Sequence, residues 1–146
     1  MMGRYYIYTD ISSCEYGGYI TTYAIAHNGN KICSEGTYLS SYTGPRSRLT
    51  AICKAMQQIP SNSDVVLQTT DEYAIFAFNF KGFFKESMKN VEELKVILEN
   101  KKRMRSCYVQ RLKFQYLHEY CQKQCKKIKQ ELKKGAIINK NYGNNR

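Results

Sequence analysis

Asp10, the adjacent pair Asp71-Glu72, and the triplet His118, Cys121 and Cys125 are the side chains whose types and spacing could do chemistry. Clustered carboxylates hold hard divalent cations such as Mg2+, and His and Cys one helical turn apart are zinc ligands. Each feature has a structural competitor. Asp10 follows a strand-like run, where Asp is a common turn residue. Asp71-Glu72 suits a helix start, where acids complement the dipole, and that reading is favoured over a metal role. His118, Cys121 and Cys125 share one helical face with Leu117, Ile128 and Leu132, the apolar stripe of a core-facing helix. Three ligands also leave a tetrahedral site unfinished, so no zinc is expected there.

The charge is unevenly placed. Residues 1–100 carry nine Lys/Arg against ten Asp/Glu, whereas residues 101–146 carry fourteen against two. All of the net +11 therefore comes from the last third, which is the electrostatic footprint of a nucleic-acid binder. Two groups could track phosphates. One is Lys101, Lys102, Arg103 and Arg105; the other is Lys123, Lys126, Lys127, Lys129, Lys133 and Lys134 on the last helix. Tyr108, Phe114 and Tyr116 could stack on bases, although aromatics in a strand are more often core. The competing occupant of the basic third is an acidic protein.

The 146 residues suit one domain. Without an 18-residue apolar run no membrane span is expected, and Met1 to Tyr6 lacks the apolar stretch of a signal peptide. An intracellular protein, cytoplasmic or nuclear, is the expectation. Its six cysteines are scattered without a Cys-x-x-Cys pair and read as reduced thiols, mostly small core residues.

The elements that must position these groups follow from local pattern. Arg4 to Thr9 is rich in aromatic and β-branched residues and reads as a strand ending at Asp10. Tyr19–His27 and Lys31–Leu39 are two more strands, joined at Asn28-Gly29, a hairpin signal because both residues tolerate positive φ. Leu49, Ile52, Cys53 and Met56 recur at helical period, giving a helix over 46–58 with Pro45 at its first position. Val65–Thr70 is a fourth strand, reached by a helical connection and so parallel to the first. Helices are expected over 72–80 and 91–98, a fifth strand over 108–116, and a basic helix over 118–134 capped by Gly135. The order β-β-β-α-β-α-β-α implies an α/β fold. It has a mixed five-stranded sheet, strands one to three antiparallel and four and five parallel, flanked by helices. Residues 1–135 form the domain and the Asn-rich 136–146 a loose tail.

With these elements in order, residues 4–78 resemble the RNase H type 1 family. The family's first strand ends in Thr-Asp-Gly-Ser; here Tyr5-Tyr-Ile-Tyr-Thr-Asp10 is followed by Ile11-Ser12. Its Gly-Gly-Tyr entry to the second strand is matched by Gly17-Gly18-Tyr19. Its Thr-x-x-Arg-x-Glu-Leu-x-Ala helix start is matched by Thr43 through Ala51, with Arg48 at the Glu position. Its Thr-Asp-Ser after the fourth strand is matched by Thr69-Thr70-Asp71, with Tyr73 three residues beyond Thr70. A weaker match, Tyr120-Cys121-Gln122-Lys123, falls on the terminal helix.

The resemblance implies four carboxylates that would hold two divalent ions for phosphodiester hydrolysis. It assigns those positions to Asp10, Arg48, Thr70 and Gln122, so only the first is acidic, and Asp71 could serve as a salvage ligand if the fourth strand were shifted or bulged. A guanidinium is permanently charged and cannot coordinate a metal. An Asp10–Arg48 ion pair in place of the ions is the expectation. The implied function is a catalytically degenerate RNase H-like pseudoenzyme, a nucleic-acid-binding or assembly module for RNA, DNA or a hybrid, with no cofactor. The alternatives are an active divergent ribonuclease H that cleaves the RNA strand of RNA–DNA hybrids with Mg2+ or Mn2+, using Asp10, Asp71 and a further carboxylate such as Glu119, and a scaffold docking an acidic protein. Richness in Tyr, Asn and Lys is the composition of an AT-rich genome, a viral one included.

Overall fold

A computed structural model describes residues 3–15, 17–29 and 31–138 of the chain. Three antiparallel strands come first: β1 (Arg4–Ser13), β2 (Tyr19–His27) and β3 (Lys31–Ser40). Asn28 and Gly29 carry φ of 56° and 76° in the turn between β2 and β3, as the Asn-Gly signal predicts. Helix α1 (Gly44–Gln57) then crosses to β4 (Asp64–Gln68), which pairs in parallel with β1. Two helices, α2 (Glu72–Phe78) and α3 (Val91–Arg103), lead to β5 (Ser106–Gln110), parallel to β4, and α4 (Gln115–Ile138) follows. The five-stranded sheet has the order β3-β2-β1-β4-β5. The mixed α/β architecture expected from the element order is the one found.

Strand alternation splits the core between the two faces of the sheet. Ile7, Tyr23, Ile25, Val65 and Leu67 face α1, α2 and α3, where the α1 stripe of Leu49, Ile52, Cys53 and Met56 is buried against them. Tyr8, Ala24 and Ala26 face α4, which lays Leu117 and Cys121 on them. Farther along, Cys125 and Leu132 pack on Ile20. Interior strand β2 is covered on both faces, so Thr21 to Ala26 are all buried.

Several boundaries differ from the expectation. β1 does not end at Asp10. The ladder with β2 continues to Ser13 opposite Tyr19, so Asp10 lies inside the strand, facing Thr22. The fifth strand occupies 106–110 rather than 108–116, because the buried Gln68 side chain intercepts the chain beyond it. Gln68 Nε2 donates to Gln110 Oε1 at 2.8 Å, and the Phe114 N–H donates to Gln68 Oε1 at 2.9 Å. Phe114 and Tyr116 then stack on each other at 5.6 Å, and Phe114 packs on Tyr6, so both rings are taken up in packing around the start of a helix. α4 begins at Gln115 and runs through Gly135 to Ile138, so Gly135 is not its cap and the expected domain limit at 135 falls inside a helix. The rest of the expected tail, 139–146, lies outside the described residues. α3 extends five residues past Leu98, α2 stops at Phe78, and Pro45 is the second residue of α1 behind the Thr43 cap.

All six cysteines are free, with Cys53, Cys121 and Cys125 buried and Cys33 exposed. Burial pushes the Cys53 and Cys121 thiols up to about 12, away from the reactive thiolate. Alkylation under native conditions is expected to modify Cys33 first and these two only after unfolding, which peptide mass mapping would read. Equal labelling of Cys33 and Cys121 would contradict the packing of α4.

Candidate functional site

A cleft of about 640 Å³ opens where the parallel strands end. β1 contributes Tyr8, Thr9 and Asp10, and α1 contributes Arg48. The turn after β4 brings Thr69, Thr70 and Asp71, and the segment after β5 brings Arg111, Leu112, Lys113 and Gln115. Clefts at the carboxyl ends of strands recur as binding sites in α/β folds because successive loops converge there.

Asp10 is half-buried and its Oδ1 accepts the Ile11 N–H at 3.0 Å. Arg48 does not pair with it. The guanidinium lies 3.9 Å from Asp71 Oδ1, and its Nη1 donates to the Thr9 carbonyl at 3.5 Å. The reason is local: Asp71 is the N-cap of α2, its Oδ2 accepting the Ala74 N–H at 2.9 Å, which holds the carboxylate across the cleft from α1. The favoured helix-start reading of Asp71 is therefore the one found. Next to it, the Arg111 guanidinium at 2.9 Å holds the exposed Glu72 carboxyl below its ordinary value.

Tyr8 forms the wall towards α4, its hydroxyl sharing a 2.7 Å hydrogen bond with His118 Nδ1. Burial raises the Tyr8 pKa and the nearby Asp10 charge adds to it, while Arg48 opposes the shift, so Tyr8 stays a neutral phenol. Thr9 lines the cleft as well, and its buried hydroxyl oxygen has no hydrogen-bond partner among the described residues.

Gln122 is not at this cleft. It lies on the exposed side of α4 in a separate groove with Tyr116, Glu119 and Lys126. The α4 residue that reaches the cleft is Gln115, at the first turn. Glu119 shares the Gln122 groove, so it does not complete a carboxylate set with Asp10 and Asp71. Among the described residues no three His, Cys, Asp or Glu side chains gather in a way that could hold a metal ion. Cys121 and Cys125 are committed to the core and His118 to Tyr8.

Neither a family model nor any curated protein matches this sequence. Solved structures match its fold. The RNase H1 of the halophilic archaeon Halobacterium salinarum NRC-1 superposes with a TM-score of 0.59 at 13% identity, over 74% of this chain and 84% of its own. The N-terminal RNase H domain of a Mycobacterium tuberculosis protein, solved as a fusion with maltose-binding protein, gives 0.67 at 8% identity, over 92% and 99%. The fold is RNase H-like. A foamy viral protease-reverse transcriptase in complex with RNA/DNA hybrid also matches, at 0.54 and 15% identity, with 74% of this chain covering 17% of that one.

In this RNase H-like frame, three of the four motif positions, Asp10, Arg48 and Thr70, share one cleft, and Gln122 does not. Sequence reasoning missed Tyr8, Thr9, Thr69, Arg111, Leu112, Lys113 and Gln115. The Arg111-x-Lys113 pair was the available signal, two cations flanking the point where a strand gives way to a helix.

The two basic groups differ. Arg103 donates to the Met56 and Ile59 carbonyls at 2.6 and 2.7 Å, closing the C-terminal end of α1. Lys101 donates to the Phe78 carbonyl, and Arg105 pairs with Asp64. Arg103 and Arg105 adjoin the start of β5, at the opposite end of the sheet from the cleft. Lys102 is exposed beside Glu99. By contrast, Lys123, Lys126, Lys127, Lys129, Lys133 and Lys134 all project from α4 into solvent. Tyr108 is exposed, whereas Phe114 and Tyr116 are engaged with each other. No helix of the described residues is long and apolar enough to cross a membrane.

Proposed function

We propose that this chain is a nucleic-acid-binding RNase H-like domain that holds its ligand without metal-dependent cleavage. The observation that carries the reading is the composition of the cleft: three cationic side chains and two carboxylates, one of them committed to capping a helix. Two-ion phosphodiester hydrolysis needs anionic oxygens on both sides of the reacting phosphate. Arg48 lines the same cleft as Asp10 and lies 3.9 Å from Asp71 Oδ1, so a permanent positive charge stands beside the carboxylates that would have to hold such ions. These residues do not fit Mg2+ or Mn2+, and no step is derived through them.

Binding is supported by the six exposed lysines of α4 and by the fold, since the foamy viral relative in fold was solved on an RNA/DNA hybrid. Backbone contacts by lysine release counterions, so affinity should fall linearly with salt on logarithmic axes and depend little on sequence. The test is incubation of the full chain with a labelled RNA–DNA hybrid in Mg2+ and in Mn2+. The expected result is retention that weakens steeply with salt, with the RNA strand intact. RNA cleavage that Asp10→Asn abolishes would establish a divergent nuclease instead. A salt-resistant protein complex with no retention of nucleic acid would establish an acidic-protein scaffold.

A further inference from the structure

The proposed function leaves open what the cleft itself holds. Arg48 makes no close ion pair: its contacts to Asp71 and to the Thr9 carbonyl, at 3.9 and 3.5 Å, are both longer than the 2.7–2.9 Å or so of a charge-assisted hydrogen bond. Its planar fork of N–H donors is therefore largely unspent. Lys113 is exposed on the facing segment and forms no salt bridge among the described residues. The exposed Thr70 and Gln115 add a hydroxyl and an amide to the same cleft. The opposing acids are partly occupied, Asp71 by the Ala74 N–H and Asp10 by the Ile11 N–H.

Resting on the nucleic-acid reading above, we infer that Arg48 and Lys113 seat one backbone phosphodiester of the bound polynucleotide directly, without a bridging cation. A guanidinium presents paired donors that match two phosphate oxygens, and an ammonium adds a point charge. The protein cation then supplies the attraction that a divalent ion supplies in a metal-dependent site. It offers no coordination position for a water nucleophile, so the phosphate is held and no bond is broken. Free Mg2+ competes with the cleft for the phosphate rather than assisting it.

The experiment measures binding of a labelled RNA–DNA hybrid by fluorescence anisotropy over a salt series, in chelator and in Mg2+. The proteins are the wild type, Arg48→Ala, Arg48→Lys, Lys113→Ala and the α4 double variant Lys126→Glu/Lys127→Glu. Arg48→Ala is expected to weaken binding about tenfold and to flatten the salt slope by about one unit, as loss of a phosphate contact does. Arg48→Lys keeps most of the slope, Lys113→Ala follows Arg48→Ala, and the wild type binds at least as tightly in chelator as in Mg2+. If Arg48→Ala fails to fold, the exposed Lys113→Ala decides. Wild-type affinity and slope in the folded cleft variants, alongside a loss in the α4 variant, would remove the phosphate from the cleft and leave the proposed function standing. Binding that requires Mg2+ would also overturn the inference. No retention of the hybrid by the wild type would overturn both.

Discussion

A chain carrying Arg48→Glu, Thr70→Asp and Gln115→Glu together is expected to bind Mn2+ at the cleft at least about a hundredfold more tightly than the wild type, a difference of about 2.8 kcal/mol. The three changes remove a fixed cation and add three carboxylates beside Asp10 and Asp71, taking the lining charge from +1 to −3. A unit charge pair about 4 Å apart at an effective dielectric of about 20 is worth about 4 kcal/mol before solvation is counted. The cleft thereby swings from repelling a dication to attracting one. Titration calorimetry gives the readout, and metal-dependent cleavage of a hybrid is the second. The position of the third carboxylate is a test in itself. Gln122→Asp in place of Gln115→Glu is expected to add little, because Gln122 opens into another groove. A folded triple variant that takes up no ion would mean that the spacing of the backbone, rather than charge, excludes metal.

The Gln115 and Gln122 pair shows where a sequence stops being informative. The strand and helix types came from local periodicity, and the parallel β4 from its helical connection; both are properties of neighbouring residues. The core-facing stripe of α4, with Leu117, Cys121, Cys125 and Leu132 buried, was legible from spacing; where the helix begins, and so which of its residues meets the cleft, was not. α4 starts three residues before the position expected, because Gln68, more than forty positions earlier, captures the Phe114 N–H. The same limit governs charge. That residues 101–105 are basic is plain from the sequence, but Lys101, Arg103 and Arg105 find their partners at the ends of α2 and α1 and the first residue of β4, distant in the chain. Arg48 lines the cleft, and the carboxylate nearest it is Asp71 rather than the expected Asp10, a choice that rests on how α2 is capped. Within the ladder, the interior position of Asp10 required the register of β2.

Leu117→Ala is the substitution expected to separate the two halves of this architecture, at a cost of roughly 2–5 kcal/mol. Leu117 is fully buried at the first full turn of α4, against Tyr8, Ala24, Ala26 and Cys121. The strand floor beneath it is alanine, so α4 lies close to the sheet and no large side chain of β2 can swing in to fill the gap. The larger core on the opposite face, built around Ile7, Leu49, Ile52 and Phe78, shares none of these contacts. Hydrogen exchange in the variant should therefore rise across the first half of α4 well before it rises in α1 or β4. Affinity for nucleic acid should fall as well, although no charge is removed, because His118 and Gln115 ride on the same turn and the exposed lysines follow. Lys126→Ala is the counterpart: it removes a charge from a solvent-facing position and should leave stability within about 0.5 kcal/mol. Denaturant titration of both variants, read with exchange, distinguishes docking from charge. A loss under about 1 kcal/mol with uniform exchange would show that α4 is held by something other than its apolar stripe.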